Sequence, residues 1–175
     1  MAARRLFAMP SGLAAQFGLL CSRMSSSKKD IGDQTAAIKK LNTTKAASEV
    51  TDAEWKSVLS PEEYEVTRKA GTEPQGGHFD KYFEKGRYVC TCCQAELFNS
   101  DSKYWSGCGW PAFSKSIDQD MNIVRIVDTS YGMERTEVRC KNCNAHLGHV
   151  FDDGPKETGE RYCINSVSMK FEPAS

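Results

Sequence analysis

The chain has 175 residues, enough for one domain and a tail. Its 23 Lys and Arg balance 23 Asp and Glu, which argues against a basic nucleic-acid face. Mean hydropathy is −0.53, no apolar run reaches the length of a membrane span, and eight cysteines fall into spacings that favour metal plus chemistry over a secreted disulfide scaffold.

In chain order, residues 1–29 contain no Asp or Glu but hold Arg4, Arg5, Arg23, Lys28 and Lys29 among several Ala and Ser. That composition suits a mitochondrial targeting segment; a start at Met24 would instead leave a cytoplasmic form. Cys21 lies in this segment and is given no role. Residues 30–50 are polar and read as a disordered linker, with room for a short helix around 36–41. The folded domain is expected over 51–175. Thr51 with Glu54 matches a capping box, and Trp55, Val58 and Leu59 then fall on one helical face. Ser60, Pro61 and Glu63 open a second helix, with Gly71 as its stop.

Beyond Gly71 the pattern changes to short strands, expected over 87–90, 95–98, 122–128, 135–140, 145–151 and 161–171. No helical pattern separates them, so the sheet pairing should be antiparallel and the domain mainly β.

Two CxxC pairs stand in this region: Cys90 with Cys93, and Cys140 with Cys143. Two such turns can present four thiolates to one tetrahedral ion, a closed site whose role is structural. A reactive dithiol is the competing reading, but its expected βαβ context is missing. Cys92 competes with Cys90 as a ligand by position; the two-residue spacing to Cys93 favours Cys90.

Two further cysteines have distinctive neighbours. Cys108 lies between glycines in a loop that continues to Trp110, so its sulfur is accessible and its backbone mobile. Cys163 is expected on a strand with Arg161 and Asn165 on the same face. A nearby cation favours the thiolate, although a buried core cysteine would fit the same pattern. His146 and His149 would face opposite sides of a flat strand, unless a bulge at Gly148 turns both the same way. One of them could serve as proton donor or orienting group near a thiolate.

Together these motifs resemble the B-type methionine sulfoxide reductases, which reduce methionine-R-sulfoxide. The resemblance runs from Thr51 to Pro173. It rests on Gly71-Thr72-Glu73-Pro74, both CxxC pairs, Ser106-Gly107-Cys108-Gly109-Trp110-Pro111, His146-Leu147-Gly148-His149-Val150-Phe151, Asp153-Gly154-Pro155 and Arg161-Tyr162-Cys163-Ile164-Asn165-Ser166. It implies two antiparallel sheets in a compact, zinc-stabilised β domain with short N-terminal helices. It also implies Cys163 as nucleophile, Cys108 as resolving cysteine, and Trp110, His146, His149, Arg161 and Asn165 around the substrate. The two CxxC pairs would hold one structural zinc, thioredoxin would be the reductant, oxidised protein or free methionine-R-sulfoxide the substrate, and the chain a monomer. A zinc-stabilised β binding module is the reading from another class. It would need the four metal thiolates but neither Cys108 nor Cys163.

Overall fold

A computed structural model describes residues 33–174; the expected targeting segment and Cys21 lie outside the described residues. Three short helices precede nine strands: α1 Ala37–Lys40, α2 Asp52–Val58, α3 Pro61–Lys69, β1 Gly86–Cys90, β2 Glu96–Asn99, β3 Lys103–Tyr104, β4 Ala112–Phe113, β5 Ile123–Asp128, β6 Arg135–Cys140, β7 His146–Phe151, β8 Arg161–Ile164 and β9 Met169–Pro173. The strands form two sheets, a three-stranded one in the order β2-β1-β9 and a six-stranded one in the order β3-β4-β8-β7-β6-β5. Every recorded pairing is antiparallel, as expected of a mainly β chain without helical crossovers. Among the described residues no helix is long and apolar enough to cross a membrane.

Both capping boxes form. The Thr51 and Ser60 hydroxyls accept from the backbone N–H of Glu54 and Glu63, and each glutamate reaches back to its cap. The second helix ends one residue earlier than expected: Ala70, not Gly71, takes the left-handed conformation, at φ 56°. Within the 30–50 stretch expected to be a linker, α1 forms and Ala36 and Ala37 are buried. Ala37 and the next residue hydrogen-bond to the first CxxC turn, Ala37 N–H to Thr91 O and Ile38 N–H to Cys92 O.

The two sheets meet through rings. Tyr88 and Phe98 from the small sheet close on Phe113 of β4, with centroids 5.1 and 4.3 Å away. Phe98 also touches Tyr162 of β8 edge-on at 5.5 Å. Such offset and T-shaped contacts each add about 0.5–1.5 kcal/mol beyond the area they bury. Strand alternation does the rest: with Tyr162 turned into this core, Cys163 faces the other side of β8.

Two sequence expectations need correction. The stretch 161–171 is not one strand. It leaves the large sheet after Ile164, makes a 3₁₀ turn at Ser166–Ser168, and enters the small sheet as β9. Asn165 therefore does not continue the face of Arg161 and Cys163 as a strand residue, and Met169 and Phe171 belong to the other sheet. The strands β3 and β4, each two residues long, were not foreseen; at that length there is no alternation to detect.

Gly148 carries the bulge that the histidine spacing needed. The β6–β7 register shifts between Val138 and Arg139, and the rings of His146 and His149 end 5.6 Å apart. A Cβ at Gly148 would collide with the Cys163 carbonyl oxygen on β8. Gly148→Ala should therefore force β7 away from β8 and cost about 2–3 kcal/mol, read by urea unfolding; native stability would contradict the close-approach argument.

Candidate active site and metal centre

The metal centre is built from two copies of one turn. Cys90 N–H donates to Ala95 O and Gln94 N–H to Cys90 O; Cys140 N–H and Asn144 N–H repeat this with Ala145 O and Cys140 O. Gln94 and Asn144 both take the left-handed conformation that closes such a turn. The four sulfurs of Cys90, Cys93, Cys140 and Cys143 lie within 4.8 Å of one another. Cys90–Cys143 are 3.6 Å apart and Cys93–Cys140 are 3.5 Å apart. Metal–sulfur bonds of about 2.3 Å in a tetrahedron need sulfurs roughly 3.8 Å apart, so the donor set fits a metal ion with little adjustment. Cys92 stays outside it, its sulfur 3.6 Å from the Thr67 hydroxyl. The Arg68 guanidinium donates to Cys143 O, fastening α3 to the second turn.

The second thiol cluster lies on the face of the large sheet away from the core. Cys163 is paired on both edges of β8, opposite Ala112 on β4 and His149 on β7. Its sulfur is 3.7 Å from that of Cys108, which the loop between β3 and β4 carries. That loop needs left-handed backbone at Gly107 and Gly109, φ 76° and 93°, which explains the glycines on either side of the cysteine.

Two sulfurs this close share one proton more readily than they lose two. Cys108 takes the charge: its thiol is lowered to about 5, first by the bond from Cys163 and then, against its partial burial, by the Ser106 hydroxyl donating from 3.0 Å. Cys163 is correspondingly raised, first by the Cys108 sulfur and then by burial, with Arg161 opposing. Arg161 is itself held in place, its Nε and Nη2 on the two Asp153 carboxylate oxygens at 2.8 and 2.9 Å and its guanidinium over the Phe151 ring at 4.6 Å.

On the other flank of Cys163 is a cavity of about 150 Å³, lined by Thr72, Trp110, Arg135, Gly148, His149, Phe151, Ile164 and Asn165 with Cys163 itself. That is below the roughly 300–1,000 Å³ of sites for whole small molecules, and suits the end of one side chain. A larger cavity, about 1010 Å³, lies elsewhere. Its one arginine is tied to Asp120 and Glu160, and no thiol lines it, so the chemistry belongs to the smaller one. Cys163 thus stands between a slot on one side and Cys108 on the other.

The histidines divide. His149 lines the slot, and its Nε2 is 2.9 Å from Asp128 Oδ2. His146 is buried behind it, with Nδ1 2.5 Å from Glu137 Oε1. Burial lowers the His146 pKa, outweighing Glu137. Trp110 donates its indole N–H to Glu73 O at 3.1 Å. Asn165 has both ends of its amide tied to backbone, to Glu73 N–H and to Leu147 O, which fixes it as a wall of the slot. Sequence reasoning missed Asp128, Glu137, Arg135 and Phe151. The first of these had a signal: a hairpin joining strands 122–128 and 135–140 pairs Asp128 with Arg135, and this is the observed register.

A paired thiol beside a one-side-chain slot, with carboxylate-bound histidines, defines a thiol-based oxidoreductase on a two-sheet, four-cysteine β scaffold. Residues 59–173 match the SelR domain. The chain is 65% identical over 141 residues to a Caenorhabditis elegans protein named "Probable methionine-R-sulfoxide reductase B", covering 79% of this chain and 93% of that one. It is 54% identical over 123 residues to "Peptide methionine sulfoxide reductase MsrB" of Herminiimonas arsenicoxydans, covering 70% and 89%. The protein of that name from Acinetobacter baumannii is 53% identical over 123 residues, covering 70% and 88%. The chain belongs to the SelR-domain family, the B-type methionine sulfoxide reductases.

Two outcomes are expected. Cys90→Ser should lose bound metal in elemental analysis of the purified protein, whereas Cys92→Ser should keep it; equal loss would put Cys92 in the ligand set. At pH 6.5, iodoacetamide should label Cys108 ahead of Cys163 in the reduced chain, because the lowered thiol is ionised there and the raised one is not. Peptide mass mapping that found Cys163 labelled first would reverse the assignment.

Proposed function

We propose that this chain reduces methionine-R-sulfoxide, chiefly in oxidised protein, through Cys163 and Cys108. The observation that carries the route is the position of the Cys163 sulfur, with the slot on one side and the second sulfur 3.7 Å away on the other. Trp110 and Phe151 receive the sulfoxide's methyl end in apolar surroundings. The R epimer directs its oxygen to His149, whose ring Asp128 orients; the S epimer would direct its lone pair there.

The shared proton moves from Cys163 to Cys108 across the sulfur contact, and Arg161 favours the resulting charge on Cys163. The thiolate attacks the sulfoxide sulfur while His149 delivers a proton to the oxygen. The hydroxyl then passes to the Cys163 sulfur as the new S–S bond breaks, so methionine leaves as the thioether, reduced by two electrons, and Cys163 is left as a sulfenic acid. Cys108 attacks that sulfur, the S–S bond forms and water departs. A dithiol protein such as thioredoxin then reduces the disulfide by exchange. The net change is one sulfoxide and two thiols to one thioether, one disulfide and one water.

The four clustered cysteines would hold one zinc ion, whose part is to cross-link the two turns and with them the two sheets. Its preference over other metals follows from four thiolate donors in a closed tetrahedral set. The acid-free composition of residues 1–29 supports delivery of this repair activity to mitochondria.

Cys163→Ser should release no methionine from a methionine-R-sulfoxide peptide. Cys108→Ser should release about one equivalent per chain in a single round and then stall with thioredoxin as donor. Equal loss of the single round and of steady-state turnover in Cys108→Ser would remove the resolving role.

A further inference from the structure

We propose that Glu73 is a positioning residue for sulfoxide reduction, fixing the substrate slot and the chain just past Cys163 through four hydrogen bonds. This rests on the function proposed above. Glu73 is 4% exposed, on a segment that runs between the thiol loop and the turn after β8. Its carboxylate accepts the N–H of Ser166 on one oxygen at 2.5 Å and the N–H of Val167 on the other at 2.9 Å. Its backbone N–H donates to the Asn165 amide oxygen at 3.0 Å, and its backbone carbonyl accepts the Trp110 indole N–H at 3.1 Å. One residue thus ties down two walls of the slot and caps the turn that follows the nucleophile.

The segment on either side extends the grip. Thr72 lines the slot. The Gln75 amide donates to Cys108 O, and Gly76 N–H donates to Gly109 O. The fit leaves no slack: a Cβ at Gly77 would fall 2.6 Å from a Glu73 carboxylate oxygen and 2.5 Å from the Ser166 hydroxyl.

Among the described residues no cation pairs with the buried Glu73 carboxylate, which makes it a costly way to hold a loop. Burial raises its pKa, against the N–H bonds from Ser166 and Val167. A neutral residue would close the same space at lower cost, so the gain lies in geometry at the slot. Glutamine cannot reproduce that geometry. Both carboxylate oxygens accept from backbone N–H groups, and either orientation of the amide sets its NH₂ against one of them. Displacements of about 1 Å at reacting groups cost up to roughly a hundredfold in rate.

The test uses the full chain with its metal, in a Cys108→Ser background so that only Cys163 reports. Two rates are compared: single-round methionine release from a methionine-R-sulfoxide peptide, and alkylation of Cys163 by iodoacetamide, which does not need the slot. In Glu73→Gln, release per concentration of peptide should fall at least tenfold, mainly through weaker peptide saturation, while alkylation stays within twofold. Glu73→Asp, which keeps both acceptor oxygens, should fall between the two. Release at the parent rate in Glu73→Gln would overturn the inference, as would release and alkylation falling together. If Glu73→Gln does not fold, Glu73→Asp is judged by the same pair of rates, with a release-only loss expected. A parent chain that alkylates normally but releases no methionine would refute the sulfoxide reading itself, which separates that failure from this one.

Discussion

Strand β8 is four residues long and paired on both edges, and this double pairing is the constraint on which the site depends. Ala112 on one side and His149 on the other fix where Cys163 stands. Alternation then sends Tyr162 into the aromatic core and Cys163 to the opposite face. The tolerance at this seam is small, because Gly148 lets β7 approach the Cys163 carbonyl closely. With Cys163 on a paired strand and Cys108 on a glycine-flanked loop, one sulfur is held still and the other is free to approach. A disulfide cycle needs that division, since S–S bond formation and its later exposure to a reductant require one sulfur to move.

The metal centre and the thiol pair use the same element for opposite ends. In the CxxC turns, four sulfurs converge in largely buried surroundings, where one metal ion can bind them all. At Cys108 and Cys163 two converge, with the Arg161 guanidinium nearby and a cavity alongside. The first arrangement is closed to substrate and the second is open on one flank. The four-cysteine cluster and the Cys108–Cys163 pair thus differ in number and in access, although all are drawn from the same residue type.

Much of this was legible in the sequence. The capping boxes at Thr51 and Ser60, five strands to within a residue or two, and the ligand spacing are all local patterns, and local patterns survive into the fold. What was not legible depended on long-range register. The 161–171 stretch alternates well enough to pass as one strand. Its break at Asn165 comes from the Glu73 carboxylate capping the next turn, some ninety positions earlier in the chain. The partners of the two histidines, Asp128 and Glu137, come from β5 and β6; the hairpin pattern placed Asp128 opposite Arg135, but which carboxylate meets which imidazole depends on side-chain packing across strands. The two-residue strands β3 and β4 carry no period at all, yet β4 supplies one of the two edges that hold Cys163.

The most direct measurement is to treat the reduced, metal-loaded chain with one equivalent of a methionine-R-sulfoxide peptide, without any reductant, and map its disulfides while counting bound metal. The expected result is a single Cys108–Cys163 bond formed in step with methionine release, with the metal retained. A disulfide drawn from Cys90, Cys93, Cys140 or Cys143, with metal lost as methionine appears, would contradict the separation of reactive from structural sulfur.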